Sequence, residues 1–525
     1  MTTTAEKPIE QVSPFTNERV KDFKDPGDRA AMQAALAAVK ARMGAQYPLV
    51  VDGERIETEK KIRSLNPANP QEVVGVVSSA SRAEAEKAIE AAARAFDSWK
   101  RLSLAQRAAY LFKAAELLRR RRFEYDALLV YEVGKSWVEA DGDIAEAIDF
   151  LEYYAREALR YGQTQPVVPL AGERNELIYI PLGVGAVIPP WNFAGAIMIG
   201  MTGAAIVSGN TVVLKPSSDS AVIAAWWVDL LAEVGVPRGV VNFIPGSGSE
   251  IGDLIVTHPQ IRFISFTGSK EIGLRINELA AKPQAGQKWI KRVVAEMGGK
   301  DSIVVCADAD LDAAVEGVAV SAFGFQGQKC SACSRAIVEE PVYDEFVKRL
   351  KRRVDQITVG DPEKPENYMG PVVNDAALSS IMRYIEKGQS EGRLVSGGKR
   401  VGERGYFLEP TVIADVPPNG TIAQEEIFGP VLAVIKAKDF DDAMAIANNT
   451  EFGLTGSLYT SDEAKIQRAR GDFFVGNLYF NRKSTGAMVG VHPFGGFNMS
   501  GTDSKAGGND YLLLFMQAKT ISRRV

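Results

Sequence analysis

Apolar residues recur at helical spacing in three stretches of the first third of the chain. Residues 27 to 43 carry Ala, Leu and Met on one face after a Pro-Gly break, which predicts an amphipathic helix in an N-terminal extension packed on the body. Ala- and Leu-rich faces predict further helices over Arg82 to Arg122 and Ser136 to Tyr161. Between Gly209 and Cys306 the pattern changes to short β-branched runs. Thr211 to Lys215, Val240 to Ile244, Ile261 to Phe266 and Ser302 to Cys306 read as strands, with helices at Ser220 to Val234, Glu250 to Thr257 and Lys270 to Ala281 between them. Such alternation predicts βαβ units and a parallel sheet covered on both faces, a nucleotide-binding layout. A second cycle follows Glu296, with a helix at Leu311 to Phe323, a strand at Ala336 to Glu339, a helix at Tyr343 to Gln356 and further α/β units to Tyr459. Two α/β domains with a cleft between them are expected. Gln163 to Tyr179 and Gln517 to Val525 fit neither cycle and read as extensions reaching into a neighbouring subunit.

Composition narrows the function classes. An apolar fraction of 46% and a charged fraction of 24% are those of an ordinary soluble globule. A net charge of -5 with scattered Lys and Arg offers no basic stripe to nucleic acid or to an anionic membrane, so a small-molecule partner is expected. The longest apolar stretch, Ala194 to Val207, is shorter than the roughly 20 residues needed to span a bilayer. No apolar signal segment opens the sequence, and a cytoplasmic protein is expected. Only three cysteines occur, Cys306, Cys330 and Cys333, too few for a disulfide framework. The two histidines, His258 and His492, each precede a proline and read as turn residues, which disfavours Cys-His catalysis and a metal site.

The candidate chemistry lies at strand ends. Two junctions are glycine-rich, Ile244-Pro245-Gly246-Ser247-Gly248-Ser249-Glu250-Ile251-Gly252 and Phe266-Thr267-Gly268-Ser269-Lys270-Glu271-Ile272-Gly273. Either alone serves a tight turn equally well; two in one sheet, after the strand that delivers Lys215, favour phosphate binding at helix N-termini. Cys330 sits in the polar bend Phe325-Gln326-Gly327-Gln328-Lys329-Cys330-Ser331-Ala332-Cys333, where a thiol reaches a cleft, whereas Cys306 ends an apolar strand as inert core. Lys329 favours a thiolate only if its ammonium turns toward the sulfur. Cys330 and Cys333 also form a C-x-x-C pair, leaving a dithiol or half a zinc site as alternatives. Glu296 follows Val293-Val294-Ala295 and precedes Met297-Gly298-Gly299-Lys300, a setting for a general base if burial raises its pKa, or for a helix cap.

Taken together, Glu296 in A-E-M-G-G-K and Cys330 in G-Q-K-C-S-A-C-S-R resemble the two signature segments of the aldehyde dehydrogenase superfamily. Pro190-Trp191-Asn192-Phe193, Lys215-Pro216, Phe266-Thr267-Gly268-Ser269, Glu425-Glu426-Ile427-Phe428-Gly429-Pro430 and Pro493-Phe494-Gly495-Gly496 agree in order. The resemblance, over residues 45 to 520, implies an α/β fold with a Rossmann-like NAD-binding domain (45–162 and 182–296), an α/β catalytic domain (297–499), a small β oligomerisation extension (163–181 and 500–525) and the helical extension 1–44. It implies that Cys330 attacks an aldehyde, that Asn192 and the Cys330 N–H hold the oxyanion, and that Glu296 activates the water that hydrolyses the thioester. Lys215, Ser269, Glu426 and Phe428 are implied to hold NAD. Most NAD-preferring relatives carry Glu where this sequence has Ser218, so NADP is expected as a second cofactor. The helical extension, Tyr47-Pro48-Leu49-Val50-Val51-Asp52-Gly53-Glu54, Ser331, and Ser484-Thr485-Gly486-Ala487-Met488-Val489-Gly490-Val491 resemble the branch that oxidises glutamate γ-semialdehyde to glutamate in proline breakdown. That branch implies a carboxylate anchor at Ser331, Gly486 and Ala487 and an aromatic sandwich from Phe193 and Phe494. It also implies a homo-oligomer, a dimer at least and in some members a hexamer. The competing readings are a dehydrogenase for another small aldehyde such as succinate semialdehyde, a CoA-acylating enzyme, and a non-catalytic paralogue.

Overall fold

The computed structural model describes residues 12–525. Helical spacing in the first third resolves into α1 (Pro26–Lys40), α2 (Arg82–Trp99), α3 (Leu104–Arg120), α4 (Arg122–Val133) and α5 (Trp137–Tyr161). α1 buries Met32, Ala35, Leu36 and Val39 against the body, the face its spacing marks out. The run expected as one helix over Arg82 to Arg122 is divided. Ser103 accepts a hydrogen bond from the Gln106 N–H, and the Gln106 side chain accepts one from the Ser103 N–H, so this reciprocal cap starts α3 afresh. Ser81 and Glu84 start α2 in the same way.

Downstream lie α6 (Ala196–Val207), α7 (Ala221–Glu233), α8 (Asp253–Thr257) and α9 (Lys270–Ala281). They flank a sheet whose parallel strands run in the order Arg292–Glu296, Ile261–Thr267, Val184–Ile188, Thr211–Leu214, Val241–Phe243. Val184–Ile188 and Thr211–Leu214 lie inside the sheet and are apolar without alternation, as strands covered on both faces must be. Strand order reverses between Val184–Ile188 and Ile261–Thr267; in doubly wound sheets that crevice, at the carboxyl ends, is where ligands sit. Leu49–Val51 and Glu54–Ile56 extend one edge in antiparallel fashion, so the sheet is mixed rather than wholly parallel.

The second sheet orders Arg393–Ser396, Thr411–Ala414, Val431–Ala437, Cys333–Glu339, Asp301–Val305, Thr455–Tyr459 and Asn477–Phe480. The strand expected at Ser302 to Cys306 therefore closes no βαβ unit of the first sheet; it pairs with Cys333–Glu339 and Thr455–Tyr459. The chain crosses from one sheet to the other through Gly298 and Gly299, where an added Cβ would collide with the Glu426 carboxyl and the Cys330 carbonyl. Glu173–Pro181 and Met516–Arg524 pair antiparallel over nine residues as a separate two-stranded ribbon, combining the two segments that fitted neither cycle. Among the described residues no helix is long and apolar enough to cross a membrane.

Gly185 is in register with Phe263 on the neighbouring strand, and the Phe263 ring lies where a Gly185 side chain would be, edge-on to Phe515 at 5.5 Å. Gly185→Ala is expected to destabilise the fold by about 2 kcal/mol through overpacking. The thermal unfolding midpoint should fall by several degrees, and an unchanged midpoint would show that the ring has room to move.

Candidate active site

Three chain segments converge at the carboxyl edge of the first sheet. Glu296 ends its strand in register with Thr267 and its main chain is bonded by the Gly268 N–H at 3.1 Å. The loop after Val184–Ile188 brings Trp191, Asn192 and Phe193, and the bend before Cys333–Glu339 brings Cys330. One cavity of about 110 Å³ is lined by Phe193, Glu296, Cys330, Ser331, Gly486, Ala487 and Phe494, together with Glu146, Phe150, Tyr154, Thr267 and Tyr511. The nucleophile, base and anchor residues picked out in the sequence thus share one cavity.

Cys330 is half-buried. Burial, then the neighbouring Asp301, Glu426 and Glu296 carboxyls, push its thiol well above the ordinary cysteine range, against the pull of the Ser331 N–H. The sulfur therefore rests protonated. Lys329 turns away from it and pairs with Glu139 at 2.7 Å, so the ammonium does not favour a thiolate. Cys306 is fully buried with its thiol pushed up to about 12, in keeping with inert core. Cys333 is buried too and donates to the Arg335 carbonyl.

Glu296 accepts a short hydrogen bond from the Ser504 hydroxyl on Oε1, while Oε2 is buried without a hydrogen-bond partner. Burial pushes this carboxyl up to about 8, opposed by Ser504, the Gly496 N–H and the Lys505 ammonium. Asn192 is buried outside the cavity lining, and its amide donates to the Gln328 carbonyl at 3.1 Å, tying its loop to the bend that carries Cys330. Phe325 and Gln326 hold positive φ angles of 48° and 55°, a strained left-handed turn, with the Gln326 amide donating to the carbonyls of Gly134 and Pro371.

Lys215, Ser218, Gly246, Gly268 and Ser269 lie along the carboxyl ends of the first sheet's strands, apart from the cavity. Lys215 is buried, which lowers its pKa; Ser218 is exposed; Ser269 caps α9 by accepting from the Ile272 N–H. Glu426 and Phe428 approach from the second sheet and line a recess with Gly299, Lys329 and Cys333. Glu426 Oε1 accepts from the Gly299 N–H at 2.9 Å, and Phe428 stands edge-on to Trp191 at 5.6 Å. His258 pairs with Glu86 and His492 lies beside Arg482, and neither lines the cavity.

Sequence reasoning missed Ser504, Glu146, Tyr154 and Tyr511. Glu146, Tyr154 and Tyr511 lie on stretches whose pattern reports only packing and Ser504 lies in a polar loop, and no local signal places the first three in the cavity or Ser504 beside Glu296. Burial pushes Glu146 up to about 8.

Residues 55–521 match the model of the aldehyde dehydrogenase family. The chain is 56% identical over 508 residues to a 1-pyrroline-5-carboxylate dehydrogenase of Bacillus subtilis, covering 97% of this chain and 99% of that one. A 1-pyrroline-5-carboxylate dehydrogenase of Geobacillus thermodenitrificans is also 56% identical, over 511 residues, with the same shares covered. The crystal structure of a 1-pyrroline-5-carboxylate dehydrogenase from Thermus with bound NAD superposes with a TM-score of 0.97 at 51% identity, covering 98% of this chain and 100% of that chain. With its cysteine and glutamate facing one cavity at the edge of a doubly wound sheet, the chain belongs to the aldehyde dehydrogenase family.

Proposed function

We propose that this enzyme oxidises L-glutamate γ-semialdehyde, the open form of 1-pyrroline-5-carboxylate, to L-glutamate with NAD, in the breakdown of proline. The observation that carries this reading is the single cavity holding Cys330, Glu296 and the Ser331, Gly486 and Ala487 anchor group.

The residues present fit a dinucleotide. The Gly246 bend is packed, since an added Cβ would lie 3.1 Å from the Ala80 carbonyl and closer still to Ile251, while at Gly248 and Gly252 it would meet nothing within 4 Å, so open space faces the backbone there. Lys215, Gly246, Gly268 and Ser269 would hold the adenosine and pyrophosphate, and Glu426 with Phe428 the nicotinamide ribose. Asp219 is turned toward Asn374 at 3.2 Å, leaving Ser218 without a carboxylate that would repel a 2′-phosphate, so NADP is accepted as a second cofactor.

The Cys330 sulfur bonds the aldehyde carbon as Glu296 of the same cavity takes the thiol proton and passes it to solvent, and the Cys330 N–H with the second hydrogen of the Asn192 amide, whose first goes to the Gln328 carbonyl, stabilises the oxyanion. A dinucleotide held by these residues would supply the hydride acceptor for oxidation of this adduct to the thioester. Glu296 takes a proton from water on its unpartnered Oε2, and the hydroxide displaces the Cys330 sulfur to release the acid. Ser331 and the backbone N–H groups of Gly486 and Ala487 hold the substrate carboxylate, Phe193 and Phe494 flank its methylenes, and Glu146 faces its ammonium. The exposed apolar residues Ile178 and Ile521 on the ribbon support a homo-oligomer, a dimer at least. The free Cys330 thiol fits a reducing, cytoplasmic setting.

NADH formation with glutamate semialdehyde is expected to exceed that with hexanal or succinate semialdehyde by about a hundredfold in kcat/KM, ~2.7 kcal/mol. Cys330→Ala should abolish activity with all three. A preference for hexanal would overturn the substrate, and an active Cys330→Ala the mechanism. A base must be ionised to act, so thioester hydrolysis should rise with pH through about 8, the value of Glu296, and level above it. Glu296→Gln should remove that rise and leave a slowed single-turnover burst of NADH; steady turnover with the same pH profile would reassign the base. Ala487→Leu should raise KM for the semialdehyde about tenfold while hexanal turnover holds; equal losses on both substrates would sink the anchor.

A further inference from the structure

Residues 13 to 22 cross the outer face of α5 as an extended strap with no helix or strand of their own. What fixes this strap is not a packed apolar stripe but a set of directed bonds. The half-buried Asn17 spends both hydrogens of its amide, one on Asp149 Oδ2 and one on the Val489 carbonyl, each at 2.9 Å. Asp149 belongs to the stretch of α5 whose Glu146 and Phe150 line the substrate cavity, and Val489 follows the Gly486-Ala487 turn that forms another part of that lining. One side chain therefore joins the two parts from outside. Glu18 donates its N–H to Asp149 Oδ1 at 2.7 Å, so the same carboxylate grips the strap twice.

Phe15 supports the bridge. Its ring stands edge-on to Tyr153 of α5 at 5.1 Å, and a Cβ at Gly490 would lie 3.2 Å from it and 3.0 Å from Tyr153. Gly490 has a φ of 75°, so the loop turns beneath the two rings at a point where only glycine is unstrained. Arg156 donates to the Ser13 carbonyl at 3.0 Å, and Arg122 to the Arg19 carbonyl at 2.8 Å, fixing the strap on both sides of Asn17.

We propose that this strap positions the Gly486-Ala487 turn for carboxylate-bearing aldehydes, with Asn17 as the positioning residue. The inference rests on the reading of that turn as the carboxylate anchor. Asn17 touches neither substrate nor reacting atoms; it acts through Val489, two residues beyond the turn whose backbone donors take the carboxylate. Its loss weakens binding of the anchored end and leaves the chemistry at Cys330 intact.

The test compares Asn17→Ala and Phe15→Ala with the unaltered enzyme on glutamate semialdehyde and on hexanal, which has no carboxylate. Losing the bridging bonds should raise KM for the semialdehyde about fivefold, with its kcat and the hexanal kinetics changed by less than about twofold. Asn17→Gln, which keeps the amide, should recover part of the loss. An unchanged KM in Asn17→Ala overturns the proposal. So do equal losses on both substrates with a lowered unfolding midpoint, which reduce the strap to a stabilising element. Ala487→Leu measured alongside separates the two readings: if it loses both substrates equally the anchor itself is wrong, whereas a selective Ala487→Leu with an unaffected Asn17→Ala removes only the strap's role.

Discussion

Lys135 and Asp143 form an ion pair with no exposure to solvent, 2.9 Å apart, and the rest of the site is built around it. The Lys135 ammonium lies over the faces of Phe193 and Phe325 at 4.3 and 4.6 Å, one ring from each of the two loops that meet at the nucleophile. Asp143 accepts from the Ala196 N–H at 2.6 Å at the start of α6, where the helix dipole favours a negative charge. A charge pair removed from water costs desolvation energy that only such complete pairing offsets, and losing one partner costs about 3–5 kcal/mol. The pair therefore sets the relative placement of Phe193, Asn192 and the Cys330 bend as a unit.

Burial also governs the reactivity of the groups so placed. It raises the Cys330 thiol well above the ordinary cysteine range and the Glu296 carboxyl to about 8. A base near neutrality is strong enough to take a proton from water and weak enough to release it, and the Ser504 hydroxyl leaves Oε2 as the free edge. Asp301, buried with Oδ2 unpartnered behind Cys330, is a third carboxyl that burial pushes well above the ordinary carboxylate range.

Much of this was legible in the chain because it is local. The periods marking α9 and the helix Leu311–Phe323 coincide with the observed bounds, and the glycine-rich turns lie at the strand ends that carry them. Boundaries failed where a cap outweighed a continuous apolar face, as at Ser103. The pattern alone did not assign Asp301–Val305 to its sheet, because two parallel strands of equal hydrophobicity look alike whichever sheet they join; the resemblance, which begins the catalytic domain at 297, set it apart from the first sheet's strands. The nucleophile and base stood out through their setting and the family resemblance. Ser504 and Lys505, which tune that base, and Lys135, which orients the aromatic wall, did not, since their effect depends on neighbours far away in sequence, 208 positions for Ser504 and Glu296.

That remoteness has a kinetic side. Asn17 meets Val489 across 472 positions and Ser504 meets Glu296 across 208, while the helices and capped turns form from contacts a few residues apart. Closing so long a loop forfeits chain entropy before any bond rewards it. The catalytic cavity is thus among the last regions to form during folding, and recovery of activity lags behind recovery of helix and sheet.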